Sequence, residues 1–538
     1  MLSPISVHSL GDDEGWLKLR AEFQDIESHP LLDGLLKNLR SHGANSCLIE
    51  GIYVDRDFSA AFSAFYSTLY RPYQKYCRRL HFFQGDLGEL RECTDPAQML
   101  DIIGSNSGKY LGYVVLRPLR HAPVSNAKFS AELLCSKDTQ EVAVRAKRSV
   151  HVLGATLSLE GFPLTQQDTR VGACAQATIW MAGRHFHDKH GAPWFSMPDI
   201  TAHALRPTDS AITRSLPAGS DYLTADNMVR ALRAMGRHPV FYAPTIKEDQ
   251  REWGFRPEDV VLRYVDSGIP VILGMENPGN PVGHAVVAVG TERLQNPEID
   301  ALPERPTPAS YLSHFLVNDD QRGSFLRLPL SEHSLADDYP YCISRDLAFI
   351  IVPLPSKVFM TAEVAEAISW DLMNQVAAQA NAWLGAGFHP VNVEDWNPPK
   401  EFFDAVIAGE VMARTYLTYG WRYKGRAIKN IVTDTLKQQL LRRDFPRYVW
   451  VTEFSSPSEM VDHDPCKRKV RAHLVNDATG SRFWESTLLI DAPGMTFLWD
   501  FDPSQSGVAP QQSLFFSQPS DGYYPKVRGI EDYSICGV

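Results

Sequence analysis

Apolar and polar positions along the chain alternate with the periods of both strands and helices. The stretch 46–55 has an extended pattern, and the β-rich run 110–119 predicts a strand that proline stops near Arg117. The segment 58–83 is rich in Phe, Tyr and Leu, and its aromatic positions predict core packing. Further along, residues 362–384 place apolar side chains at helical spacing. The chain is therefore expected to have an α+β fold.

Length and pattern together predict three domains. A chain of 538 residues exceeds what one hydrophobic core usually organises. Residues 149–355 show a strand, a long helix and then several strands, which is typical of a helix packed on an antiparallel sheet. We expect an α+β domain of unknown role on each side of it, at 1–148 and 356–538. Strand-like runs at 447–454 and 482–491 belong to the last of these.

Composition narrows the class of protein. Hydrophobic residues make up 44% of the chain and charged residues 22%, which is typical of globular proteins. The formal net charge of −11 disfavours binding to phosphate backbones, so nucleic acid is not expected as a partner. The N-terminal residues show no export signal, and no run of about 20 apolar residues follows. The expectation is a cytoplasmic protein without a membrane partner.

The cysteines indicate a reducing environment. Eight of them are scattered through the chain without a CxxC pair or a dense framework. A free thiol is then available as a nucleophile.

Cys174 is the first candidate for chemistry. A polar loop that contains Gly172 runs directly into a helical apolar pattern, and Cys174 lies at the junction. A thiol at a helix N-terminus meets the positive end of the helix dipole and unpaired amide groups, which favour the thiolate. Buried structural thiols are also common at such places, so this position alone does not establish a function.

Two later segments supply possible partners. His284 begins a strand of small apolar residues, and Asn318, Asp319 and Asp320 follow another strand before a glycine turn. Taken singly, a core histidine and a polar turn would explain them. In the order Cys, His, Asn/Asp they provide a nucleophile, a base and a group that orients the base.

These residues resemble the papain-like cysteine peptidase superfamily, and within it the C39-like group, whose order is Gln, Cys, His, Asp. The resemblance covers roughly residues 150–355 and implies a papain-like cysteine protease fold for that domain. It also implies that a Gln before the nucleophile helps to form the oxyanion hole. Gln167 is the nearest match, seven positions before Cys174 rather than six, and Gln166 is the other choice.

Other motifs give little support to a cofactor. The HxHxxH run at 185–190 suggests a metal site, but on a helix its first two histidines point to different faces, so a solvated helix end is the favoured interpretation. GxxxxGK[ST], GxGxxG and HExxH are absent from the sequence. No cofactor and no metal are expected.

The sequence thus predicts a bacterial cysteine peptidase acting on a protein or peptide substrate. Cys174, His284, Asp319 and Gln167 are its expected catalytic residues, and Asn318 or Asp320 could take the place of Asp319. The flanking domains are expected to recognise a regulatory protein or the substrate. Acyl transfer, transglutamination or deamidation passes through the same thioester, and an inactive peptidase kept as a binding module is a further alternative.

Overall fold

The computed structural model describes most of the chain. The described ranges are 5–23, 28–135, 139–168, 170–171, 173–205, 223–247, 250–277, 280–294, 302–332, 339–391, 393–430, 434–461, 468–480, 485–500 and 511–519.

Helices and antiparallel strands alternate along these residues. The strands are β1 (Ile5–Ser9), β2 (Ser46–Tyr53), β3 (Cys77–Phe83), β4 (Tyr110–Leu116), β5 (Val124–Phe129), β6 (Gln140–Val142), β7 (Ala146–Val152), β8 (Ala155–Gly161), β9 (Pro163–Leu164), β10 (Arg237–Tyr242), β11 (Thr245–Lys247), β12 (Gln250–Glu252), β13 (Val271–Asn277), β14 (Asn280–Arg293), β15 (Leu312–Asp319), β16 (Gly323–Pro329), β17 (Leu347–Pro355), β18 (Met412–Tyr419), β19 (Tyr448–Ser455), β20 (Ala472–Asp477), β21 (Thr487–Ala492), β22 (Met495–Asp500) and β23 (Gln511–Phe516).

The helices complete the set. They are α1 (Asp13–Ala21), α2 (Pro30–Ser41), α3 (Arg56–Ala64), α4 (Pro96–Ser105), α5 (Ala131–Leu134), α6 (Cys174–His190), α7 (Met197–Ala204), α8 (Ala225–Ala234), α9 (Pro257–Asp266), α10 (Ile343–Asp346), α11 (Ala362–Gly385), α12 (Lys400–Ala408), α13 (Gly420–Asn430), α14 (Asp434–Arg442) and α15 (Pro457–Met460).

The chain divides into two compact units. The first comprises Met1–Glu252, Pro270–Thr291 and His314–Pro353, and the second comprises Trp253–Ile269, Glu292–Ser313 and Leu354–Val538. The three domains expected from the sequence, with boundaries at 148 and 355, stay a prediction.

The first unit contains two large sheets. One has the order β1-β2-β3-β4-β5-β9, and the other has the order β10-β17-β13-β14-β15-β16, with β6 paired to β14. The hairpin of β7 and β8 forms a separate ribbon. Its apolar side chains, among them Leu157 and Leu159, join a core with Phe58, Tyr66 and Phe83. The predicted core packing is therefore confirmed for Phe58, Tyr66 and Phe83, whereas Tyr70 and Tyr76 of the same segment are exposed.

The second unit is built on the antiparallel sheet β18-β19-β20-β21-β22-β23. Its core includes the long helix α11, which contributes Trp370, Met373 and Ala377, together with Phe403 and Phe454. A buried ion pair supports the same region, because Arg263 donates to both carboxylate oxygens of Glu366, at 2.8 and 2.5 Å.

Several sequence predictions are confirmed as β2, β4, α11 and β19. The predicted strand 482–491 is shorter, since β21 begins at Thr487, and residues 482–484 lie outside the described residues. The coarse fold class, a mixture of helices and several antiparallel sheets, is also confirmed. Within the described residues, every helix is too short or too polar to cross a lipid bilayer.

Replacing Trp450 tests the packing of the second unit. This indole is fully buried, donates to the Met360 carbonyl at 2.9 Å and meets the Tyr264 ring edge-on. We expect Trp450→Ala to lower the free energy of unfolding by about 3–5 kcal/mol, because it leaves a cavity and an unpaired carbonyl. Urea unfolding followed by circular dichroism measures this. The control is Trp421→Ala, since that side chain is 66% exposed; equal losses in the two variants would contradict the packing described.

Candidate active site

Cys174 is the first residue of α6. Apolar residues cover most of this helix, and its first turn is supported by the Gln176 side chain, whose oxygen accepts from the Ala173 amide at 3.1 Å. Gly191 ends the helix with a φ of 63°, in the left-handed region that glycine adopts without strain. The Cys174 thiol is free and half-buried. It lies at the end of the helix where backbone amides lack intrahelical partners.

His284 extends from β14, opposite Met275 of β13. The following strand residues are small or β-branched and buried, so the sheet holds the backbone of His284 rigidly. Its ring is buried and stacks on Tyr341, with centroids 5.8 Å apart and an angle of 21° between the planes. The sheet therefore fixes the position of the imidazole, and the stacking on Tyr341 fixes the orientation of its ring plane.

Asp319, at the end of β15, is the carboxylate that orients this ring. Its Oδ1 lies 3.0 Å from His284 Nε2 and also accepts from the Gln321 amide at 2.8 Å. Its Oδ2 accepts from the Tyr339 hydroxyl at 2.8 Å and from Arg322 at 3.3 Å. Burial alone would raise the pKa of Asp319, but the hydrogen bond from His284 and the neighbouring donors lower it.

Asn318 and Asp320 take other positions. Asn318 donates to the Pro163 carbonyl at 3.1 Å and accepts from the Phe325 amide at 3.0 Å, so its side chain stabilises the loop packing. Asp320 Oδ1 lies 3.9 Å from His284 Nε2, beyond hydrogen-bonding distance. Of the three residues left open by the sequence, Asp319 is the one that hydrogen-bonds to His284.

The Cys174 thiol lies next to the His284 ring. The Cys174 side chain lies close enough to His284 to raise the pKa of its imidazole. Asp319 occupies Nε2, which leaves Nδ1 as the ring nitrogen available to the sulfur. Burial by itself would lower the pKa of His284. The hydrogen bonds to Asp319 and Cys174 and the charges of Asp319 and Asp320 outweigh burial and raise that pKa well above its ordinary value. The arrangement favours an imidazolium next to the sulfur.

Asp320 adds a second buried carboxyl. The residue is fully buried, and neither of its carboxyl oxygens has a hydrogen-bond partner of normal geometry among the described residues. Burial, together with the repulsion from Asp319, raises the pKa of Asp320 to about 7, although His284 and the backbone of Gln167 act in the opposite direction. At neutral pH this carboxyl therefore lies near its point of half-ionisation.

The two glutamine candidates for the oxyanion hole differ in their surroundings. Gln166 is buried, accepts from the Val124 amide at 2.8 Å and contacts the His29 ring at 2.9 Å, so its side-chain amide already has protein partners. The backbone of Gln167 faces Asp320, and its side chain makes no hydrogen bond to any described residue. A role for Gln167 in an oxyanion hole stays a prediction.

A cleft of about 310 Å³ adjoins these residues. Gln167 and Asp320 line it on one side, and His29, His121 and Arg322 are also part of its wall. The carboxyl beside His284 is thus part of a space large enough to hold several side-chain atoms.

Sequence reasoning missed the aromatic and cationic support of the site. Tyr339 and Tyr341 follow a segment outside the described residues, and their ring stacking and hydroxyl contacts depend on the tertiary fold. Arg322 lies three residues after Asp319, where a charge next to a turn is usually solvated. No local signal distinguishes these three residues from an ordinary turn.

Among the described residues, the group of possible metal ligands does not include the histidines of the HxHxxH run. The expectation of a solvated helix end is wrong for His185, which is fully buried with its ring 5.4 Å from Phe162. His284, Asp319 and Asp320 do bring possible ligand atoms within 4.8 Å of one another. However, both oxygens of Asp319 already accept hydrogen bonds, which does not fit a site shaped for a cation.

Comparison with known proteins gives a limited result. No protein-family model matches the chain, and no curated protein is significantly similar to it in sequence. Among solved structures, the peptidase domain of Streptococcus ComA, a bi-functional ABC transporter involved in a quorum-sensing pathway, is similar at 15% identity. That similarity covers 36% of this chain and 96% of the other, with a TM-score of 0.21. A TM-score this low does not establish a shared fold.

Asp320→Asn tests the unpartnered carboxyl. Because its pKa is raised, folding favours the neutral form, and the ionised form destabilises the protein progressively as pH rises from about 4 to about 7. The variant keeps the shape and removes the charge. We expect the free energy of unfolding of the variant, relative to that of the wild type, to increase by on the order of 2 kcal/mol when the pH is raised from 5 to 8. Urea unfolding at both pH values measures the gain, and a difference independent of pH would contradict this account.

Proposed function

We propose that this chain is a cysteine peptidase whose central region, residues 149–355, has a papain-like fold. The observation that supports the proposal is the position of His284, which is hydrogen-bonded to Asp319 at 3.0 Å and lies close enough to Cys174 for the thiol to raise the pKa of its ring. A nucleophile, a base and an orienting carboxylate in that order are the parts of a catalytic triad.

The first role of the triad is to ionise the thiol. Asp319 accepts at Nε2 and fixes the ring so that Nδ1 meets the sulfur. Because the pKa of His284 is raised, its ring is protonated at neutral pH. The positive charge of this imidazolium favours the thiolate form of Cys174. Burial of the ring against Tyr341 keeps bulk water from weakening this pair.

The thiolate of Cys174 would attack the carbonyl carbon of an amide bond. The oxygen that gains negative charge would meet the free backbone amide of Cys174, at the start of α6, with the Gln167 side chain as the proposed second donor. His284 would then protonate the leaving amine, and water would hydrolyse the thioester with His284 as base. The acid and base steps use the same nitrogen, which the fixed ring provides.

The proposed substrate is a protein or peptide, and residues 1–148 and 356–538 are proposed to serve recognition or regulation. Acyl transfer and deamidation pass through the same thioester and differ in the second nucleophile. The products distinguish these reactions: peptide hydrolysis gives a cleaved chain, deamidation gives an intact chain and ammonia, and acyl transfer gives a new amide or ester.

Thiol alkylation tests the ion pair. At pH 6 we expect limiting iodoacetamide to label Cys174 before the other cysteines, because an ordinary thiol is mostly protonated there. His284→Ala removes the partner of the thiolate and should slow the labelling of Cys174 by at least about tenfold. Peptide mass spectrometry locates the label. Half-buried Cys93 is the internal reference; equal labelling of both cysteines, unaffected by His284→Ala, would contradict the proposal.

Amide hydrolysis tests the nucleophile directly. A library of peptides incubated with the purified chain should give new carboxyl termini, and Cys174→Ala should reduce their rate of formation by at least about 10³-fold. Cys93→Ala is the matched control, since this thiol lies outside the site and should be dispensable. If the wild type hydrolyses no peptide, and Cys174→Ala binds a protein partner as well as the wild type does, the result would favour an inactive peptidase that serves as a binding module.

A further inference from the structure

A second cavity lies along the helix that carries Cys174. It has a volume of about 390 Å³, within the range of small-molecule sites, and Trp180, Arg184 and Asp188 of α6 line one side. Arg184 lies ten residues after Cys174, which is about 15 Å along a helix axis. The opposite wall comes from the end of β2, the start of α3, and β4 and β7.

The carboxylates of this cavity are already bound to donors of the protein. Asp57 accepts from the Trp180 indole at 2.8 Å and from Arg184 at 2.6 Å. Asp188 accepts from the buried ammonium group of Lys128 at 3.0 Å. Asp55, at the start of α3, accepts from one backbone amide and two side chains, at 2.9, 2.6 and 2.9 Å. These acidic groups therefore serve the protein's own structure.

Two donors of the cavity make no hydrogen bond within the described residues. The Arg148 guanidinium forms an ion pair with Asp188 at 3.7 Å, beyond hydrogen-bonding distance, and its side chain is 40% exposed, so its N–H groups are accessible to a ligand. Tyr113 is 4% exposed as a residue and lines the cavity, and its hydroxyl is not among the buried polar atoms that lack a partner within the described residues. This hydroxyl is therefore a donor that a molecule in the cavity can reach.

The balance of charge points to an anion. Four arginines and three aspartates, Asp55, Asp57 and Asp188, line the cavity. Counting also Lys128, the partner of Asp188, and Glu50, the partner of Arg79, the positive charges exceed the negative charges by one. Burial is the main cause that lowers the pKa of Arg184; Asp57 opposes this effect and the charge of Arg148 adds to it.

We propose that this cavity binds the oxyanion of a small molecule, a phosphate or carboxylate group held by Arg148 and by the Tyr113 hydroxyl. Guanidinium is planar and matches two oxygens of such a group at once. Trp180 and Tyr53 give the cavity aromatic surface that can pack against the rest of the ligand. The site is separate from the candidate triad, and its existence does not depend on the proposed peptidase activity.

Titration calorimetry of the full chain with inorganic phosphate, and separately with citrate, tests the site. The buffer contains neither ion, and sodium chloride of equal ionic strength is the blank. We expect at least one probe to bind the wild type at one site per chain, and Arg148→Gln to weaken that binding at least tenfold. Binding of phosphate alone would identify a phosphate ligand, and binding of citrate alone would identify a carboxylate.

Two further variants keep the test specific. Lys147→Gln removes the same charge at the next position of β7, outside the cavity wall, and should change the affinity less than twofold. Tyr113→Phe removes only the hydroxyl and should weaken binding about fivefold, which gives a second readout if Arg148→Gln fails to fold. Absence of binding by both probes, or equal weakening by Lys147→Gln and Arg148→Gln, would overturn the proposal.

Discussion

The site depends on one buried imidazole held between a carboxylate and a thiol. Burying the His284 ring opposes its positive charge, and the structure overcomes this opposition with a direct hydrogen bond to Asp319 and with the charge of Asp320 nearby. Asp319 is in turn held by the Tyr339 hydroxyl, the Gln321 amide and Arg322. These contacts hold the carboxylate that orients the ring.

Helix α6 connects two chemically different places. Its first residue is Cys174, and its last turns contribute Arg184 and Asp188 to a cavity rich in arginine. Because the helix is buried on most of its surface, its two ends hold fixed positions relative to each other. Near the first end, neither oxygen of the Asp320 carboxyl accepts a hydrogen bond of normal geometry from a described residue, and near the other end the partly exposed Arg148 forms only a 3.7 Å ion pair with Asp188.

The sequence indicated the parts of the site whose signal is local. Cys174 at a helix start and Asp319 at a strand end follow from patterns of neighbouring residues. The expectation that His284 begins a strand is wrong, because β14 already begins at Asn280. The choice of Asp319 over Asn318 depends on which side chain faces β14, and the engagement of Gln166 with His29 depends on a contact between residues 137 positions apart. Tertiary packing, which local patterns do not encode, determines three further features. These are the stacking of Tyr341 on His284, the burial of His185 and the cavity around Arg148.

The most direct test of the central claim is the pKa of His284 itself. Selective isotope labelling of histidine and NMR titration, with His284→Gln to assign the signal, would measure this pKa in the wild type and in Cys174→Ala. The account predicts a pKa well above 6.5 in the wild type and a lower one when the thiol is removed, because the hydrogen bond to Cys174 is one of the causes that raise it. An ordinary or depressed pKa that does not respond to Cys174→Ala would contradict the account.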